Sequence, residues 1–176
     1  ELYLAWHRGT YTTQAKIKKG VRKAEFAIRE AQYLAGLLRI KQASLSEKEL
    51  EVLKDAIQQI EENWQILLFQ EFHDILPGTG IRKVCEEAEE ALEQVIESCK
   101  ALSQKLLTVL AGEGAIFNSL SWDRKAENGV VIPACGYINN VDVDVVEKAA
   151  ITVDWEEKYG GAYRISHPLF TALVDC

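Results

Sequence analysis

Methionine is absent from this sequence, and its four cysteines form no CxxC pair and have no histidine at zinc-finger spacing. The cysteine pattern argues against a closed structural zinc site and leaves Cys85, Cys99, Cys135 and Cys176 as reduced thiols, the state expected in the cytoplasm. No apolar run approaches the roughly 20 residues that a membrane-spanning helix needs, so no membrane partner is expected. Basic charge is in short supply. A formal net charge of −7 works against a nucleic-acid groove, which needs clustered Lys and Arg, and Lys16-Ile17-Lys18-Lys19 and Arg22-Lys23 read as a solvated helix face. There is no Asn-x-Ser/Thr sequon and no signal peptide, in keeping with a cytoplasmic setting. A P-loop, a Gly-rich dinucleotide fingerprint and a Ser-His-Asp arrangement are also missing.

What remains is the composition of a soluble globular protein, 48% hydrophobic and 27% charged over 176 residues. Between about Tyr11 and Lys41, Ile17, Val21, Ala24, Ile28, Ala31, Ala35 and Leu38 recur at steps of three and four, which predicts a helix with one buried stripe. Gly20 inside it costs about 1 kcal/mol relative to alanine. A second helix is announced by the capping box Ser46-Glu47-Lys48-Glu49 and carries Leu50, Leu53, Ile57, Ile60, Trp64 and Leu67 or Leu68, stopping near Asp74. A third runs from Thr79 to Ala111 along Ile81, Cys85, Ala88, Leu92, Val95, Cys99, Leu102, Leu106 and Val109, with Gly112 placed for an αL cap. Three helices with short links shield a common seam by packing up-down-up.

After Gly112 the pattern shortens. Ala115-Ile116-Phe117, Val130-Val131-Ile132, Ala150-Ile151-Thr152-Val153, Tyr163-Arg164-Ile165 and the terminal Leu169–Cys176 run are strand-like. Charge shifts too, from 15 basic against 17 acidic residues through Ala111 to 5 against 10 beyond it. The expected fold class is α+β, a three-helix up-down-up bundle followed by a partial antiparallel β module, the start of a sandwich. The expected divisions are residues 1–10, 11–112 and 113–176. With no methionine and a strand-like opening run, Glu1-Leu2-Tyr3-Leu4-Ala5-Trp6, the chain reads as an internal piece of a larger protein.

The most chemically pointed stretch is Phe72-His73-Asp74-Ile75-Leu76-Pro77-Gly78, where Pro77 and Gly78 mark a reversal between the second and third helices. There an imidazole and a carboxylate can face away from the packed interior toward a metal or substrate. Taken alone, His73 more often caps a helix C-terminus and Asp74 is more often a plain loop carboxylate. The two cannot complete a zinc shell, which takes three or four protein ligands. The polar, aromatic His7-Arg8-Gly9-Thr10-Tyr11-Thr12-Thr13 could line a site, but Thr12 or Thr13 as a helix cap is the favoured reading. Cys85 and Cys99 read as small core residues, Glu86–Glu90 as a solvated face, His167 as a surface-loop residue and Trp122-Asp123 as a strand end.

Three segments together resemble the α-mannosidases of glycoside hydrolase family 38. They are Glu1-Leu2-Tyr3-Leu4 leading to His7-Arg8-Gly9-Thr10-Tyr11-Thr12-Thr13-Gln14, then Phe72-His73-Asp74-Ile75-Leu76-Pro77-Gly78-Thr79, then Phe117-Asn118-Ser119-Leu120-Ser121-Trp122. Their order and spacing are similar to the bacterial and cytosolic-type members, over roughly Glu1 to Trp122. The resemblance implies a larger enzyme with a catalytic α/β domain, a three-helix middle domain and a long C-terminal β domain, of which residues 1–10 would end the first. It implies that His73 is a ligand to one Zn2+ and that Asp74 contacts a mannoside or oligosaccharide substrate. The other zinc ligands, the nucleophile and the acid/base would lie upstream of Glu1, so the chain by itself would be inactive. The implied reaction is retaining hydrolysis of terminal α-mannosides. Departures from the usual pattern are Ala5-Trp6 in place of an acidic-apolar pair, Val21 for asparagine, Glu71 for glutamine and Gly80 for serine. None touches His73 or Asp74, though Glu71 adds negative charge nearby. The competing class is a non-enzymatic helical interaction module whose seam recruits a partner helix.

Overall fold

A computed structural model describes residues 5–126, 130–139, 152–156, 162–167 and 170–175. It divides into two compact units, Glu1–Leu106 and Leu107–Cys176. The first is helical. A 3-10 turn, Ala5–Tyr11, precedes α1 (Ala15–Ile40), α2 (Glu47–Gln70) and α3 (Arg82–Ala111). Ala5-Trp6 therefore starts a helical turn where the sequence suggests a strand; Glu1 to Leu4 lie outside the described residues.

α1 buries every residue of its expected stripe, together with Leu34. It begins later than the periodicity suggests, and neither Thr12 nor Thr13 caps it. The N-cap is Gln14, in the left-handed region at φ 49° with no side-chain capping bond. α2 begins as its capping box requires: the Ser46 N–H donates to Glu49 Oε2 at 2.7 Å and the Glu49 N–H to Ser46 Oγ at 3.4 Å. Its buried stripe is rotated from the expected one. Leu53, Ala56, Ile60, Asn63, Leu67 and Gln70 face inward, whereas Leu50 and Ile57 are exposed. Buried Asn63 remains satisfied because its Nδ2 donates to Gln59 O at 2.8 Å and to Ser98 Oγ on α3 at 2.9 Å.

α3 starts at Arg82, leaving Ile81 exposed outside the seam and Val109 half-buried. Cys85, Ala88, Leu92, Val95, Cys99, Leu102 and Leu106 are all buried. Lys16 of α1 pairs with Glu89 of α3 at 3.5 Å, and one turn along Gly20 lies against Leu92, so these helices run parallel. α2 returns between them, which gives the up-down-up order. A Cβ added at Gly20 would stand 3.0 Å from Leu92 Cδ1 and 3.3 Å from its Cβ. The glycine is the point where α1 and α3 approach, a reason that helix propensity alone does not reveal.

In the second unit the last turn of α3 ends at Gly112, whose φ of 88° and N–H to Thr108 O at 2.8 Å make the expected αL stop. Short antiparallel strands follow. β1 (Ile116–Asn118) pairs with β4 (Gly136–Ile138), and β2 (Arg124–Lys125) with β3 (Val131–Ile132). A three-stranded sheet is formed by β5 (Thr152–Glu156), β6 (Ala162–His167) and β7 (Phe170–Asp175) in that order. The fold class is α+β, a helical bundle followed by the start of a β module. His167 closes β6 opposite Phe170 instead of occupying a loop. Buried Asn118 organises the turn after β1: its Nδ2 donates to the carbonyls of Trp122, Ile132 and Pro133, and its Oδ1 accepts from the Leu120 N–H at 3.1 Å.

Candidate functional site

The connection between α2 and α3, residues 71–81, is irregular but closely tied. Once α2 ends, the Ile75 and Leu76 N–H groups donate to Phe72 O at 2.9 and 3.0 Å, and the Gly78 N–H donates to Ile75 O at 2.9 Å. Ile75 is buried and anchors the turn, while Phe72, His73 and Asp74 are exposed. Gly78 sits at φ 77°, where an L side chain would be strained. A Cβ there would also lie 2.8 Å from both Cβ and Cγ of Gln14 and 3.0 Å from the Thr13 carbonyl oxygen. The turn thus interlocks with the left-handed N-cap of α1.

Lys18 strengthens the joint. Its Nζ donates to the carbonyls of Thr13, Leu76 (3.0 Å) and Pro77 (3.3 Å). An ammonium has three protons, and these carbonyls match that number. Burial lowers the Lys18 pKa from its ordinary value, with Cys85 opposing the shift. The sequence places Lys18 on a solvated face; in the fold it is half-buried and turned toward the loop. Its position directly after buried Ile17 and one turn before Arg22 is the available signal, and this signal is ambiguous because the flank of a helix stripe can face either way.

The expected pair therefore stands outward at one end of the bundle. The His73 and Asp74 side chains are 79% and 69% exposed, with Nε2 3.7 Å from Asp74 Oδ2. That separation is too long for a direct hydrogen bond, so the two groups do not consume each other's donors and acceptors. The Phe72 ring lies beside the imidazole, centroids 4.2 Å apart and planes tilted by 49°. Imidazole nitrogen and carboxylate oxygen are both zinc donors, and the pair fits part of such a shell. Among the described residues no group of three or more His, Cys, Asp or Glu side chains could hold a metal.

Part of the polar-aromatic segment before α1 reaches the same turn. Thr10 and Tyr11, with Arg22, Glu25, Glu71 and Pro77, line an open cleft of about 420 Å3. The Arg22 guanidinium donates to Glu25, which partners the cation inside the cleft. Thr10 and Tyr11 thus line the cleft, while Thr12 and Thr13, the expected caps, neither line it nor cap α1.

These features define a helical-bundle module whose polar chemistry is concentrated at one end. Residues 5–110 match the family model described as the alpha mannosidase middle domain. The chain is 33% identical over 129 residues to the alpha-mannosidase of Saccharomyces cerevisiae, covering 70% of this chain and 11% of that protein. It is 35% identical over 130 residues to human alpha-mannosidase 2C1, covering 70% and 12%, and 30% identical over 112 residues to alpha-mannosidase G of Dictyostelium discoideum, covering 64% and 9%. The chain belongs to the α-mannosidase middle-domain family, in glycoside hydrolase family 38. It spans only a small part, about an eighth or less, of the length of the relatives it matches.

Proposed function

We propose that this chain is the middle segment of a zinc-dependent retaining α-mannosidase that removes terminal α-mannosyl residues from glycans or oligosaccharides. The observation that carries the reading is the outward-facing His73–Asp74 pair on a bundle of the α-mannosidase middle-domain family. His73 would supply one metal ligand and Asp74 would accept a hydrogen bond from a substrate hydroxyl. When bound, the zinc would act as a Lewis acid that orients sugar hydroxyls. One donor does not complete its shell, so the remaining ligands would belong to a catalytic α/β domain elsewhere in the parent polypeptide.

The nucleophile and the acid/base of a retaining pair would come from that domain as well. Exposed apolar residues support a covering partner at this end: Phe69 is 66% and Phe72 48% exposed, beside His73. A C-terminal β domain would continue from β1–β7. The buried free thiols of Cys85 and Cys99 support a reducing, cytoplasmic location. Among the described residues no helix is long and apolar enough to cross a membrane.

The test is zinc content of the intact protein after demetallation and reloading. Wild type should retain about one equivalent and His73→Ala clearly less. Equal binding by both would remove His73 from the shell and favour the non-enzymatic interaction module. The excised chain should not turn over an aryl α-mannoside; turnover would contradict the division of ligands proposed here.

A further inference from the structure

We infer that Lys18 is the positioning residue of the His73–Asp74 pair: by fastening the α2–α3 turn to α1, its ammonium fixes where the imidazole and carboxylate are presented. The inference rests on the reading of His73 as a metal ligand.

The bonds inside the turn, from the Ile75 N–H to Phe72 O and from the Gly78 N–H to Ile75 O, fold residues 72–78 onto themselves. They do not say where the folded turn stands relative to α1. Lys18 does, because it reaches Leu76 and Pro77 across separations of 58 and 59 residues while also holding Thr13. Leu76 and Pro77 follow Asp74 by two and three positions, too close for the turn to move at one end and stay fixed at the other. The bonds are charge-assisted and come from one donor, so a single substitution releases both sides. Close packing of Gly78 against Gln14 prevents overlap at the joint, and the Lys18 bonds prevent separation.

A metal ligand needs such a fixed base. The His73 side chain is largely exposed and rests beside the Phe72 ring of the same turn, so its placement is inherited from the turn's backbone. Groups that orient a ligand from outside the coordination shell typically change metal affinity by about 10- to 100-fold when removed.

The experiment uses the intact protein, with Zn2+ affinity measured by chelator competition. Lys18→Met keeps the apolar stem and removes the donors. It should weaken zinc binding by about 10- to 100-fold and speed hydrogen exchange at the Ile75 and Gly78 amides. Lys18→Arg keeps the charge and several donors and should recover most of the affinity, which a general loss of helix packing would not allow. Zinc affinity within twofold of wild type in a folded Lys18→Met protein would overturn the inference. Lys18→Gln retains N–H donors on a shorter side chain and covers the case in which Lys18→Met does not fold. Intermediate affinity supports the inference, and wild-type affinity overturns it. A His73→Ala protein measured alongside separates the two readings: if it binds zinc like wild type, the ligand assignment fails, and exchange at Ile75 and Gly78 alone then decides whether Lys18 holds the turn.

Discussion

Replacing Gly78 with alanine should destabilise the helical bundle by about 2–4 kcal/mol. Two effects combine. At φ 77° an L side chain costs about 1–2 kcal/mol relative to glycine. The new Cβ would also stand 2.8 Å from Gln14 Cβ and Cγ and 3.0 Å from the Thr13 carbonyl, well inside normal carbon–carbon contact, and crowding of this kind costs about 1–3 kcal/mol. Reduced freedom of the unfolded chain offsets about 0.4–1 kcal/mol. The steric share can be isolated by a double-mutant cycle with Gln14→Gly, which deletes the Gln14 atoms that the new methyl meets. Gln14 is itself left-handed and makes no capping bond, so Gln14→Gly alone should change stability by less than about 1 kcal/mol. In that background Gly78→Ala should cost about 1–2 kcal/mol less than in the wild type. Urea unfolding followed by helical circular dichroism supplies all four values. A coupling below about 0.5 kcal/mol would refute the interlock between the turn and the start of α1.

Gly20→Ala should lower stability by about 1 kcal/mol in the same assay, since crowding against fully buried Leu92 outweighs the roughly 1 kcal/mol gain in helix propensity; a net stabilisation would mean that α1 and α3 separate readily. The Ser46 hydroxyl, and then its N–H, hold the Glu49 carboxyl below its ordinary value of 4.5. Because that folded-state value is depressed, the capping contribution is present above 4.5 and lost as pH falls through the lower folded value. Ser46→Ala should therefore flatten this acid-side dependence in a melting series, and an unchanged slope would count against the cap. Burial pushes the Cys99 thiol up to about 11, so Cys99 should resist a disulfide reagent at pH 8 until the protein is unfolded; mass mapping of labelled peptides reads this directly.

Much of the bundle was legible in the sequence because its signals were local and redundant. The α1 stripe repeats over seven positions, Ser46 and Glu49 cap each other within four residues, and Gly112 stops a helix that has run out of apolar seam. The α2 face was legible only in part: Leu53, Ile60 and Leu67 are buried as expected, whereas Leu50 and Ile57 are not. Leu50, Ile57 and Trp64 recur with the same seven-residue period as Leu53, Ile60 and Leu67, so periodicity alone cannot choose between the rows. Packing selected the row that brings Asn63 to Ser98. At the site, the reversal and the outward His73–Asp74 pair followed from Pro77 and Gly78 lying between two helical patterns. The clamp did not, because Lys18 meets Leu76 and Pro77 only after three helices have assembled. β2 and β4 carry no strand signal of their own in the sequence. Two and three residues are too few to display alternation, and Cys135 takes an unexpected left-handed conformation just before β4.

The most direct test of the central claim is a crystal structure of the intact zinc-loaded protein with anomalous data collected at the zinc edge. The peak should lie about 2.0–2.1 Å from a ring nitrogen of His73, with further ligands from outside residues 1–176. A fully coordinated zinc elsewhere, with the His73 ring left in solvent, would contradict the claim.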